Sequence, residues 1–238
     1  MIILQARTER KRSILSEIVI TNTQSEHLHH CAALQVLCYP TLADDERLKR
    51  DHFASHLDKF SEGQFVAIHR RSGEVVGSTS GFLTHIDFDH FQHHTFYEAI
   101  DGGWLTHHRE DGAYYYGIDM SVHPDYRGLG IARMLHDARK MLARKSNLRG
   151  QVIGGMIPGY AHYRGVMSAH DYVQHVASGL LHDSTLTTQL RNGFRLRGML
   201  KNYLHDPPTD GWSTLLEWVN RDHVEPLIVI PRLERVNN

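Results

Sequence analysis

The chain has 238 residues, a formal net charge of −1 and 41% hydrophobic residues. That length accommodates one large domain, or one domain with additions, around a sizeable core. The balanced charge argues against a nucleic-acid or membrane-surface protein, so a small partner is expected. Cys31 and Cys38 are the only cysteines and fall in a helical pattern with Leu34 and Leu37. They read as core positions and not as a disulfide frame or metal pair, which suits a reducing, cytoplasmic compartment. No apolar run approaches the roughly 20 residues of a bilayer span. In Met1–Arg12 the apolar part precedes the charges, the wrong order for a signal peptide, so residues 1–15 read as a loose extension.

In chain order, Glu17 to Thr21 alternates as a first strand, and Ser25 is placed to cap a helix running to Cys38, where Tyr39-Pro40 ends it. A second helix is expected from Ala43, with Asp44, Asp45 and Glu46 in its first turn and Gly63 as its stop. Gln64 to His69 and Val75 to Leu83 are apolar, β-branched runs joined as a hairpin by Arg70 to Glu74. About thirty residues without a clean period follow, 84–113, too long for an ordinary connection and so a lid, a substrate wall or a subunit contact. They hold His85, Asp87, Asp89, His90, His93, His94, His107 and His108. Zinc ligation is weighed and set aside: no H-E-x-x-H or cysteine partner is present, and the chain's 20 histidines are spread throughout. The remaining reading is a polar cleft or a solvated segment, with some imidazoles titrating near neutral pH.

Tyr114 to Lys145 reads as strand, turn and helix. Tyr114, Tyr116, Ile118, Met120 and Val122 share one face at period two, and Pro124 closes the strand. After the turn, Ile131, Met134, Leu135, Ala138, Met141 and Leu142 form the buried face of a helix of about four turns, opposite Arg133, Arg139, Lys140 and Arg144. Between them lies Arg127-Gly128-Leu129-Gly130-Ile131-Ala132, where glycines before a helix N-terminus let backbone N–H groups converge on a phosphate. The dinucleotide fingerprint and the P-loop are both incomplete here, which leaves an NAD-dependent oxidoreductase a remote third reading.

With Val-x-Pro just before it, the R-x-x-G-x-A loop resembles that of the GNAT superfamily of acyl-CoA-dependent N-acyltransferases. The resemblance implies an α/β (α+β) GNAT fold: a mixed, mostly antiparallel sheet of six or seven strands with about four flanking helices, spanning residues 16–220. It implies acetyl-CoA as acyl donor. Arg127, Gly128, Leu129, Gly130, Ile131 and Ala132 would cradle its pyrophosphate, Met120, Ser121 and Val122 would pair with pantetheine, and Arg133 lies where a further phosphate is met. In this family the strands flanking the helix splay apart and the acyl group enters between them.

Downstream, Gln151 to Met156 reads as a buried strand, followed by Pro158 to Tyr163, a loop whose Tyr160 and His162 are candidates for acceptor binding or acid–base work. Ser168 opens a helix to about Gly179. Asp183 or Ser184 caps another, Thr185 to Asn192, before Gly193 and a strand from Phe194 to Leu200; Leu215 to Val219 is the last strand. Many GNAT proteins place a tyrosine acid four residues before that glycine, and here the position holds Gln189. Asp119, Tyr116, His85 and His162 are the candidate bases, and Met120 or Val122 N–H the oxyanion donor. The runs Met156 to Tyr160 and Gly193 to Leu204 also resemble the acetyltransferase half of bacterial proteins fused to a carbon-nitrogen hydrolase, a half for which this chain is too short. The expected activity is acetyl transfer to the primary amine of a small molecule or peptide, with no metal, a possible homodimer, and residues 221–238 as an arm. A GNAT-fold acyl-CoA sensor without turnover is the alternative.

Overall fold

A computed structural model describes residues 14–91 and 95–225. Its centre is one seven-stranded sheet in the order β1-β2-β3-β4-β5-β7-β6. The strands are β1 (Ile18–Asn22), β2 (Phe65–His69), β3 (Glu74–Thr84), β4 (Tyr114–Val122), β5 (Gly150–Met156), β6 (Arg195–Lys201) and β7 (Trp212–Val219). Every neighbouring pair is antiparallel except β4 and β5. Parallel neighbours need a crossover, and helix Ile131–Lys145 supplies it.

The helices of the described residues are α1 (Leu28–Cys38), α2 (Arg50–Phe60), the short α3 (Phe96–Ala99), α4 (Ile131–Lys145), α5 (Ala169–Ala177) and α6 (Leu186–Arg191). On one side of the sheet, Leu28, Cys31 and Leu34 of α1 and Phe53 of α2 pack on Val66, Phe82, Tyr116 and Val152. On the other, Ile131 and Leu135 of α4 meet Ile18, Ala67 and Val76, while α5 and α6 close over Tyr115, Ile153 and Leu216. Alternation along each strand feeds both layers, which is why central strands read as nearly continuous apolar runs.

Two of the expected caps are present: the Ser168 hydroxyl accepts from Asp171 N–H at 3.0 Å, and the Asp183 carboxylate accepts from Thr185 and Leu186 N–H, each at 2.8 Å. Ser25 is not a cap: it lies within a 3₁₀ turn, Ser25–His27, ahead of α1, and its hydroxyl donates to Glu26. Three further expectations need correction. The second helix begins at Arg50, not Ala43. Leu42 and Leu48 are both buried at a spacing no helix face provides, and the Glu46 carboxylate accepts His205 N–H at 2.9 Å, so 41–48 is an irregular segment docked on the loop before β7.

The second correction concerns β4. Ser80 pairs with Asp119 and Gly81 with Gly117, so Ile118 is an extra residue, a bulge. Tyr114, Tyr116 and Ile118 pack under α1 and α2, whereas Met120 and Val122 pack under α4. The five residues expected on one face are therefore divided between two.

The third correction is Arg139, which is buried, not on a solvated face, while Met141 is exposed. Arg139 lies four residues beyond Leu135 and so on the same helical face. Its guanidinium donates to Ser80 O at 2.8 Å and to Asp119 O, the carbonyls beside the bulge. A side chain at Gly117 would collide with it, its Cβ 2.4 Å from an Arg139 terminal nitrogen.

Within the histidine-rich segment, Thr95 and Glu98 form the capping box of α3. His93 and His94 lie outside the described residues, as do residues 1–13 and 226–238 of the two expected extensions. Residues 221–225 fold back on the end of α4, with Asp222 3.1 Å from Arg144 and Val224 O accepting from Asn147 at 2.8 Å. No helix of the described residues is long and apolar enough to cross a membrane.

Candidate active site

β4 and β5 pair only from Tyr114↔Gly150 to Gly117↔Ile153. Beyond that point β4 runs on to Val122 and β5 to Met156, the latter held by β7. The bulge at Ile118 turns β4 away and Arg139 holds the turn, so a wedge opens between two strands that remain well anchored on their other edges. His123 N–H donates to Val76 O on β3 at 2.9 Å. Alternate residues of a strand point opposite ways, so Val122 and Met120 direct their N–H and C=O groups into the wedge. Ser121 does not: it pairs with Ser78, and its buried hydroxyl donates to Asp119 at 3.0 Å.

The loop that enters α4 closes one end of the wedge. Gly128 and Gly130 have φ of 72° and 95°, a region that disfavours any Cβ. No atom lies within 4 Å of where a Gly130 Cβ would sit. Helix α4 has no side-chain cap, and no protein acceptor among the described residues meets the N–H groups of Ile131, Ala132 and Arg133. Amides without a protein acceptor at a helix N-terminus are the groups that suit an anion. Arg127 is exposed, with its Nε donating to Val122 O at 3.1 Å, and Arg133 is exposed 3.8 Å from Asp137. The Leu129 and Ile131 side chains pack inward, leaving their backbones to the loop.

Side chains fill the other end. Asp119 is 5% exposed and accepts from Gln35 Nε2 at 2.6 Å, from Ser121 Oγ and from the Tyr39 hydroxyl at 3.2 Å. Burial pushes its carboxyl above the ordinary range, a shift that the Gln35 bond opposes. The Tyr39 hydroxyl also lies 3.0 Å from Met120 O and 3.3 Å from Met120 N. Burial and the neighbouring Asp119 raise its pKa well above that of a free tyrosine, so it is a phenol at neutral pH. Across the wedge, Gln189 stands against β5: a Cβ at Gly155 would lie 2.6 Å from its Oε1, which is buried without a hydrogen-bond partner among the described residues.

The structure does not bring the other two catalytic candidates to Asp119. Tyr160 is buried against Tyr172 with its hydroxyl donating to Met167 O at 3.3 Å, and His162 is exposed on the same turn. Tyr160 is thus a core residue of the α5 side. The 84–113 segment instead walls a cavity of about 670 Å³ on the α1–α2 side of the sheet. Its floor includes Phe82, Tyr116 and Leu215, and His85, His107 and His108 stand on its wall. Burial lowers the pKa of His108, whose Nδ1 accepts Leu83 N–H at 3.2 Å. Among the described residues no three His, Cys, Asp or Glu side chains are grouped to hold a metal ion.

The model of the Acetyltransferase (GNAT) family matches residues 28–153, which include α1, the wedge strands and the loop. The chain belongs to the GNAT acetyltransferase family. It is 31% identical over 221 residues to the uncharacterized N-acetyltransferase YkwB of Bacillus subtilis (strain 168), covering 92% of this chain and 96% of that one. It is 40% identical over 210 residues to the probable hydrolase YhcX of the same organism. That match covers 87% of this chain and 40% of YhcX, so the GNAT chain spans well under half of that relative. Among solved structures, the GphF GNAT-like decarboxylase in complex with isobutyryl-CoA superposes with a TM-score of 0.72 at 21% identity, covering 84% of this chain and 98% of that one. At that identity the likeness is one of GNAT fold.

Tyr39, Gln35 and Arg139 are the site residues that sequence reasoning missed. Tyr39 is legible in the sequence only as a helix stop, and Gln35 carries no signal of its own. The spacing of Arg139 from Leu135 was the single available signal.

Proposed function

We propose that this chain transfers an acetyl group from acetyl-CoA to the primary amine of a small molecule or peptide by direct attack in a ternary complex. The observation that carries the reading is the wedge between β4 and β5 leading to the glycine cradle at α4. The residues present fit the donor. Backbone amides from Gly128 to Ala132 have no acceptor among the described residues and would meet a diphosphate, with Arg127 and Arg133 beside them as exposed cations. Met120 and Val122 offer wedge-facing backbone groups for the amide-bearing pantetheine arm, whereas Ser121 is turned to β3.

The thioester supplies an activated acyl carbon. The attacking amine must reach it unprotonated, and the charge gathering on the carbonyl oxygen must meet a donor. Val122 N–H, or Met120 N–H once released from the Tyr39 hydroxyl it donates to at 3.3 Å, is that donor, on a strand pinned beside the bulge by Arg139. The amine enters by the cavity over Tyr116, where the imidazoles of His85, His107 and His108 stand as possible acceptors for its proton. No general acid is required at Gln189, because a thiol with a pKa near 8.5 is already a fair leaving group.

A second reading, an acyl-CoA sensor without turnover, is favoured by Gln189 and by the Tyr39 hydroxyl lying on Met120. A thiol-release screen with acetyl-CoA across amino acids, polyamines, aminoglycosides and peptides separates the two. Amine-dependent thiol release above the hydrolysis rate is expected for the enzyme. A rise in melting temperature with acetyl-CoA and no release by any amine would establish the sensor.

A further inference from the structure

The β4 edge of the wedge is covered by the chain's own side chains. Met120 and Val122 direct their N–H and C=O groups into the wedge, and among the described residues three of these four groups meet a side chain. Met120 N–H donates to the Tyr39 oxygen at 3.3 Å, Met120 O accepts the Tyr39 hydroxyl at 3.0 Å, and Val122 O accepts Arg127 Nε at 3.1 Å and the Cys38 thiol at 3.4 Å. One phenol thus serves both the donor and the acceptor of Met120, the task a neighbouring strand performs in a closed sheet. We propose that Tyr39 and Arg127 are specificity-determining residues: they latch the β4 edge, and only a ligand carrying both a diphosphate and an amide-bearing arm opens it fully. This rests on the acyltransferase reading above.

The two latches yield to different parts of the ligand. Arg127 is exposed, and its bond to Val122 O is one to a neutral carbonyl. A diphosphate at the Gly128–Ala132 amides offers the same guanidinium a bond between opposite charges, which is the stronger of the two. Phosphate capture therefore draws Arg127 away and frees Val122 O; the thiol of Cys38 is a weak donor and adds little. Met120 lies two residues further from the loop, roughly 7 Å along the strand, so the phosphates do not displace Tyr39. The arm does. An arm N–H takes the place of the hydroxyl at Met120 O, an arm carbonyl takes the place of the phenol oxygen at Met120 N–H, and each bond broken is remade. An alkyl arm of the same length would leave both Met120 groups buried and unpaired. The displaced hydroxyl keeps an acceptor in Asp119 Oδ1, 3.2 Å away, and Asp119 keeps Gln35 at 2.6 Å and Ser121 at 3.0 Å. Tyr39 follows directly on α1, and Pro40 prevents that helix from continuing, so its side chain turns without unwinding a helix.

The test titrates wild type and Tyr39→Phe calorimetrically with CoA and with ADP, which carries the diphosphate without the arm. The proposal expects Tyr39→Phe to bind CoA about three- to tenfold more tightly than wild type, the size of one ordinary hydrogen bond, with a Kd for ADP within about twofold. An unchanged or weaker affinity of Tyr39→Phe for CoA would overturn the proposal, and so would an equal shift for both ligands, which would mark a general effect on the fold or the loop. Amide and side-chain ¹⁵N spectra of wild type give a readout that needs no variant. ADP should move the Arg127 Nε–H resonance and leave the Met120 amide in place, whereas CoA should move both. A Met120 amide that CoA leaves unmoved, or that ADP moves as far as CoA does, would also overturn the latch. Failure of wild type itself to bind CoA would overturn the acyltransferase reading and this proposal together, which sets that failure apart from one in which CoA binds and Tyr39→Phe changes nothing.

Discussion

The two ends of the wedge are built from different material. At the α4 end, the proposed cradle rests on glycine geometry and on main-chain amides with no acceptor among the described residues, all within one short loop. At the α1 end the wedge is filled by side chains that come from far apart: Gln35 from α1 and Tyr39 just after it, Ser78 from β3, Asp119 and Ser121 from β4, Arg139 from α4. A backbone site tolerates changes in its side chains and fails when a Cβ is added. A side-chain network fails when any member leaves a buried partner unmatched.

The largest effect is expected from Arg139→Met. The substitution leaves the Ser80 carbonyl without its guanidinium donor, the Asp119 carbonyl with the Thr79 hydroxyl in place of two donors, and the Asp119 carboxylate without its nearby cation, so a loss of roughly 3–5 kcal/mol is expected. Urea denaturation measures it, and a loss below about 1 kcal/mol would show that the bulge stands without the arginine.

Acid should act outside the wedge, on two buried imidazoles. His56 on α2 and His136 on α4 are buried, and burial lowers their pKa values from 6.5 to about 4 and about 3. The unfolded chain therefore binds more protons below pH 6.5, and stability falls as pH drops from 6.5 toward 4. His56 alone accounts for about 3 kcal/mol at the acid end. His56→Gln should flatten that slope in pH-dependent denaturation, and an unaltered slope would deny His56 its share.

The loop predicts a different pattern. Gly130→Ala places a Cβ in open space at a φ of 95°, so stability should fall by only about 1 kcal/mol. CoA affinity should fall about tenfold, in step with a loss of roughly 1.4 kcal/mol in the cradle. An unchanged affinity in a calorimetric titration would place the phosphates elsewhere. Smallest of all is Tyr160→Phe, which removes one hydrogen bond to Met167 O at a cost of about 1 kcal/mol and should leave turnover unaltered.

This contrast also explains what could be read from the chain. The hairpin at Arg70 to Glu74, the Ser168 and Asp183 caps and the glycine loop are local devices whose residues specify their own geometry. The bulge at Ile118 leaves no such mark, because it exists only relative to β3, and a period-two reading carries straight through it. Arg139 was placed on the wrong face because charge outweighed spacing in assigning it. The second helix was extended back to Ala43 on its acidic residues, although Glu46 is there to bind the His205 amide across the fold. Tyr39 carries no sequence signal beyond ending a helix, since its contacts with Asp119 and Met120 depend on β4 lying alongside.

The most direct test of the account is a calorimetric titration of the wild-type chain with CoA and, in parallel, with pantetheine, which lacks the phosphates. If the Gly128–Ala132 amides clasp the diphosphate while the wedge takes the arm, CoA should bind with pantetheine at least about 100-fold weaker, the equivalent of roughly 2.7 kcal/mol. Equal affinities for the two, or no binding of CoA at all, would contradict it.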